Sequence, residues 1–132
     1  MNFIARSAWN RFFGERGERV AARYLKRHGM RILVRGYRIP SGEIDLIARQ
    51  GEVVVFVEVK TRKHGTPAEA VGEPKQKRLT SAALHFLKKH QLLEGRWRFD
   101  IVAIVWPDVG QKPLIEHIPN AFESVGRGQM FQ

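Results

Sequence analysis

Apolar residues along the chain change period several times, and each change marks an expected element. From Phe13 the positions Gly17, Val20, Ala21, Tyr24 and Leu25 recur at helical spacing, with Arg16, Arg19, Arg23 and Arg27 on the opposite side. This pattern predicts an amphipathic helix that ends near Gly29. Ile32 to Val34, then Tyr37 and Ile39, read as an extended segment with Arg31, Arg35 and Arg38 facing outward, broken at Pro40-Ser41-Gly42. Glu43 to Arg49 and Glu52 to Lys60 are two strand-like runs joined at Gln50-Gly51, where glycine tolerates positive φ. A polar stretch from Thr61 to Gly72 leads to a second helix, with Pro74 near its start and Leu79, Ala82, Ala83, Phe86 and Leu87 along one side. Trp97 to Trp106 alternates as a strand, Pro107 to Pro113 turns, Leu114 to Ile118 forms a short edge strand, and an irregular tail follows Pro119.

The order helix, three strands, helix, strand, strand predicts an α/β sandwich. The route from Lys60 through a helix to Arg96 is long enough for the crossover that joins parallel strands. At 132 residues, with no repeat or low-complexity linker, the chain is expected to form one domain over 1–132, with a core at about 12–106 and an extension over 107–132.

Register turns this pattern into chemistry. With Gln50 and Gly51 as the turn, Arg49 pairs with Glu52, Ile47 with Val54, Asp45 with Phe56 and Glu43 with Glu58. Ile44, Leu46 and Ala48 then share an apolar face with Val53, Val55, Val57 and Val59. The other face carries Ile47, Val54 and Phe56, followed by Asp45, Glu58 and Lys60 toward one end of the sheet. Opposed carboxylates about 5 Å apart repel by roughly 3 kcal/mol at an effective dielectric near 20, and a divalent cation neutralises them. Mg²⁺ or Mn²⁺ held by Asp45 and Glu58 fits this oxygen donor set, with Lys60 beside a scissile phosphate as an electrostatic partner. The neighbouring carboxylates raise a lysine pKa, so the general base stays unassigned. The bland alternative for Glu58-x-Lys60 is a wet ion pair at a sheet edge.

Lys and Arg number 23 against 13 Asp and Glu, a formal charge of +10 that favours a polyanionic partner, nucleic acid first. Lys75, Lys77 and Arg78 near the second helix's start are expected to contact backbone phosphates, as are Arg35, Arg38, Arg62 and Lys63. Gln76 in the same first turn either faces the site or is solvated; Glu18 either pairs with a neighbouring arginine or serves metal or water. Asp100 reads as structural beside Arg98, and the five histidines, lacking zinc spacing, read as surface residues. The absence of cysteine excludes disulfides and thiolate metal sites, and no run has the length and apolarity of a membrane span or signal core, so a cytoplasmic protein is expected.

At these residues the sequence resembles the small bacterial YraN-type family, predicted nucleases related to archaeal Holliday-junction resolvases within the PD-(D/E)xK superfamily. The resemblance runs over roughly residues 14 to 105, through Gly14-x-x-Gly17-Glu18-x-x-Ala21, Ile32-Leu33-x-Arg35, Gly42-Glu43-Ile44-Asp45-Leu46-Ile47, Val57-Glu58-Val59-Lys60-Thr61-Arg62, Lys75-Gln76 and Arg98-Phe99-Asp100. It implies a restriction-endonuclease-like αβββαβ core with a mixed central sheet flanked by helices. It further implies Asp45 and Glu58 as metal ligands, Lys60 as a catalytic aid, Glu18 and Gln76 as accessory groups, and a homodimer as an assembly to test. Ile44 replaces the proline of the superfamily's name, and Gly36 stands where asparagine is expected. The resulting expectation is a metal-dependent endonuclease acting on DNA, including branched or structured DNA. The alternatives are a non-catalytic nucleic-acid or partner-binding module, or a membrane-surface protein that uses the apolar stripe of the first helix.

Overall fold

The computed structural model describes residues 3–62, 71–106 and 112–124, with side chains from Gly14 onward. Its elements are α1 (Phe3–Arg27), β1 (Arg31–Ile39), β2 (Gly42–Gln50), β3 (Val53–Arg62), α2 (Glu73–Lys89), β4 (Arg96–Val105) and β5 (Leu114–Phe122). The strands form one sheet in the order β1-β2-β3-β4-β5, antiparallel except for the parallel β3–β4 pair that α2 bridges. This is a mixed α/β sheet flanked by helices, compatible with a restriction-endonuclease-like core.

Each helix buries its apolar stripe on a different face. Ala21, Ala22 and Leu25 of α1 are fully buried against Leu46, Val55, Val57 and Val102. Leu79, Ala83, Phe86 and Leu87 of α2 pack on Ile47, Val54, Phe56 and Phe99. Phe56 is the hub of the second layer, with ring centroids 6.0 Å from Phe86 and Trp97 and 5.7 Å from Phe99. Full burial of each such large side chain contributes about 1.5–3 kcal/mol, so both helices are held by the sheet more than by their own propensity. From Gly14 onward the apolar stripe of α1 is occupied by the sheet, and no helix among the described residues is long and apolar enough to cross a membrane.

Several boundaries differ from expectation. α1 begins at Phe3, ten residues before the periodic stretch, and ends as expected with Met30 N–H donating to Leu25 O and Gly29 N–H to Lys26 O. β5 runs through Pro119 to Phe122. It is an edge strand, where proline's missing N–H is tolerated, and the β4–β5 register shifts between Phe99 and Ile101. The turn between β2 and β3 is Gly51-Glu52, because Gln50 pairs with Val53. Gly51 has φ +58, matching turns that take glycine first; a Gln50-Gly51 turn would have put glutamine in that conformation.

Candidate functional site

Moving the turn by one residue changes each cross-strand partner by two positions, so side chains keep their faces while their opposites change. Ile47 faces Phe56 and Leu46 faces Val57, where the β2–β3 ladder ends. Asp45 and Glu58 lie just past that end, near enough for Asp45 to disfavour the charge on Glu58, so the expected acids do meet. Glu43 is not across from Glu58. It pairs with Arg38 of β1, in an exposed ion pair at 3.2 Å. Ile44 also departs from expectation: it joins the α2-side core, opposite Leu46 and Ala48, in the part of β2 beyond the β3 ladder.

The end of that ladder is a notch reached from both faces. Asp45 Oδ2 accepts the Val59 N–H at 2.8 Å, replacing a strand carbonyl. From α1, Glu18 shares a hydrogen bond with the Asp45 carboxyl. From α2, Lys75 Nζ lies 2.6 Å from Glu58 Oε1, while Glu58 itself is only 5% exposed. Two glycines permit these approaches. A Cβ on Gly17 would stand 2.3 Å from Thr61 Cγ2, and one on Gly42 would stand 1.9 Å from the Arg78 carbonyl oxygen. Gly17 lets α1 lie on β3 one residue before Glu18; Gly42 lets the first turns of α2 lie on β2.

The electrostatics follow from this crowding. Burial first, then Asp45, pushes the Glu58 carboxyl up to about 7, against the opposing pull of Lys75 and Lys60. Glu18 is also pushed up to about 7, by burial and then Asp45. Asp45 is raised by burial, although the Val59 amide stabilises its charged form. Lys60 shifts downward, opposite to the expectation from its acidic neighbours, because burial and Lys75 outweigh Glu58. Lys75 shifts upward: the Glu58 hydrogen bond and nearby carboxylates outweigh its burial. The notch thus collects three strained carboxyls and two amines, with more acid than its donors stabilise.

Other expected site residues lie around it. Gln76 is half-buried and its Nε2 donates to the Val71 carbonyl at 2.6 Å, so its amide fastens the approach to α2. Lys77 makes an exposed contact with Glu73 at 3.9 Å. Arg78, Lys75 and Glu43 line a groove of about 270 Å³ beside the notch. Arg35 and Arg38 are exposed on β1, Arg62 ends β3, and Lys63 lies outside the described residues. Sequence reasoning missed Lys75 as the partner of Glu58; its signal was a lysine beside Gln76 at the start of a helix that follows the Glu58 strand. Asp100 is fully buried and bonds Arg98 and His117, so His117 is a structural partner and not a surface histidine.

Asp45 and Glu58 supply the hard oxygen donors that Mg²⁺ or Mn²⁺ accepts, and their raised carboxyls mark negative charge that a cation would relieve. Among the described residues no three His, Cys, Asp or Glu side chains are grouped tightly enough to hold a metal by themselves.

Fold and notch together define a mixed-sheet α/β protein with a paired-acid and lysine site at a sheet end. Residues 17–104 match the model of the uncharacterised protein family UPF0102, and the chain belongs to that family. A UPF0102 protein of Geobacter metallireducens is 48% identical over 89% of this chain and 97% of its own length. One from Rhodococcus opacus is 48% identical over 87% and 99%, and one from Rhodopirellula baltica 44% over 89% and 74%.

Proposed function

We propose that the chain is a nuclease using Mg²⁺ or Mn²⁺ to hydrolyse DNA phosphodiesters, branched or structured DNA included, with the relationship to Holliday-junction resolvases that its motifs suggest. The observation that carries this reading is the meeting of Asp45, Glu58 and Glu18 with Lys60 and Lys75 where the β2–β3 ladder stops. In this reading Asp45 and Glu58 hold the ion, which supplies Lewis-acid polarisation of the phosphate. Lys60, on the Glu58 strand, offsets charge developing on the phosphate. Glu18 orients Asp45 through their hydrogen bond, and Gln76 holds the start of α2, which carries Lys75. Lys75, Arg78 and Arg38 guide the backbone into the adjoining groove.

Purified protein incubated with linear, flap and four-way DNA should cut at least one of them with Mg²⁺ or Mn²⁺ and none in EDTA. Asp45→Ala should lower the rate about 10³-fold or more, since several kcal/mol of transition-state stabilisation pass through that carboxylate. Equal cutting by wild type and Asp45→Ala would sink the assignment.

A second reading is supported by the Lys75–Glu58 contact: an amine already on Glu58 Oε1 makes a non-catalytic nucleic-acid-binding module. It predicts metal-independent, salt-sensitive DNA binding and no cleavage of any substrate.

A further inference from the structure

The arginine side of α1 does not simply face solvent. It forms one wall of a cleft of about 620 Å³ whose remaining lining is Trp106, just past β4, with Lys112 and Pro113 ahead of β5 and Ile115 in it. Arg19, Arg23 and Arg27 stand on the helix wall and Lys112 on the opposite one. Arg16 lies over the floor, its guanidinium carbon 4.9 Å from the Trp106 ring centroid. Among the described residues the lining holds no carboxylate. Glu18, on the same turn as Arg16 and Arg19, is turned instead toward Asp45.

From this placement we infer that the α1 cleft is a second nucleic-acid site, taking the sugar–phosphate backbone of a single strand. Cations on both walls suit a strand lying between them, where a convex basic face would suit a duplex. The volume falls within the roughly 300–1,000 Å³ of clefts that enclose small ligands, enough for a few nucleotides of one strand. From Arg16 to Arg27 the helix advances about 16 Å at 1.5 Å per residue, so its arginines can follow several successive phosphates. With Arg16 covering the buried Trp106 ring, the half-buried Val20, Tyr24 and Ile115 add apolar surface for sugars. An anionic bilayer fits less well, because the apolar stripe beside these arginines, Ala21, Ala22 and Leu25, is buried on the sheet. This inference shares its partner class with the proposed function, but binding in the cleft does not require the notch to cut.

The test uses the full chain, a fluorescein-labelled single-stranded oligonucleotide, and anisotropy in EDTA over a salt series. Each phosphate contact contributes about 0.7 to the log–log salt slope, so Arg19→Ala with Arg23→Ala should flatten it by about 1.4 and weaken binding about 25-fold at 0.1 M salt. The paired Arg→Lys changes should keep the slope, and Arg27→Ala alone should flatten it by about 0.7. Circular dichroism checks that each variant is folded. Unchanged slope and affinity in folded Arg19→Ala/Arg23→Ala overturns the inference. So does a duplex that binds as tightly and responds identically, or binding confined to phosphatidylserine vesicles. If no substrate is cut yet these variants lose the oligonucleotide, the nuclease reading falls and the cleft stands. If cutting depends on Asp45 and the variants bind like wild type, the cleft falls and the nuclease stands.

Discussion

Asp100 on β4 and Glu58 on β3 belong to neighbouring strands, and both are at most 5% exposed. Asp100 receives Arg98 Nε at 2.9 Å, His117 Nε2 at 2.7 Å and the Asn120 amide at 2.9 Å; Arg98 also reaches Gln50 at 2.8 Å. Glu58 has Lys75 on one oxygen, and Asp45 disfavours its charge. A buried carboxylate ringed by donors ties strands together. One crowded by another acid leaves charge that an external cation can relieve. Burial alone therefore does not distinguish the two acids here; the surplus of acid over donors does.

The largest expected effect breaks the comparison if it fails. Asp100→Ala leaves Arg98 and His117 facing a vacated site and should cost about 3–5 kcal/mol. Asp45→Ala removes repulsion toward Glu58 and one acceptor for Val59 N–H, worth about 0.5–1.5 kcal/mol, so its metal-free stability should stay within about 1 kcal/mol of wild type. Urea unfolding in EDTA at pH 8 measures both. Equal losses would mean that Asp45 is as structural as Asp100.

A smaller effect concerns how the notch is assembled. Gly42→Ala drives a methyl group into the Arg78 carbonyl, a backbone atom that can yield only if α2 shifts, and should cost about 1–3 kcal/mol. Gly14→Ala meets nothing within 4 Å and should gain up to about 1 kcal/mol from helix propensity. Thermal unfolding of the two variants, scored by sign, checks this. Stabilisation by Gly42→Ala would show that α2 is not held close by the missing side chain.

What the sequence reveals divides along the same line as these effects. Alternation made the faces legible: Ile47, Val54 and Phe56 do line the α2 side, and Leu46, Val55 and Val57 the α1 side. Partners were harder, since one glycine serves two turn types and moving the turn by one residue changes every opposite without changing a face. Pro119 looked like a stop because proline breaks internal strands, but at an edge it does not. Gly36, where the family resemblance calls for asparagine, has φ +65, a conformation that glycine and asparagine both tolerate; the substitution became intelligible only with the backbone in view. Lys75 was visible as a charge, but its partner depended on how closely α2 approaches β2 at Gly42, which no local pattern encodes.

The smallest effect sharpens the comparison by asking which state of the notch is stable. Glu58 and Glu18, raised from an ordinary value of 4.5 to about 7, hold their protons more tightly folded than unfolded. Between those values the native state binds more protons, so their stabilisation is complete below about pH 4.5 and is lost as pH rises through about 7. Glu58→Gln removes one such group, so in EDTA its melting temperature should gain on wild type as pH goes from 5 to 8. Mg²⁺ should act where the protons have left. At ten times its apparent Kd it stabilises by RT ln 11, about 1.4 kcal/mol, an upward shift of a few degrees. That shift belongs to wild type at pH 8, should shrink at pH 5 where protons compete for the same oxygens, and should vanish in Glu58→Gln. A Mg²⁺ shift of equal size at both pH values, or one that survives Glu58→Gln, would place cation binding elsewhere and leave the acid pair with no ion to account for it.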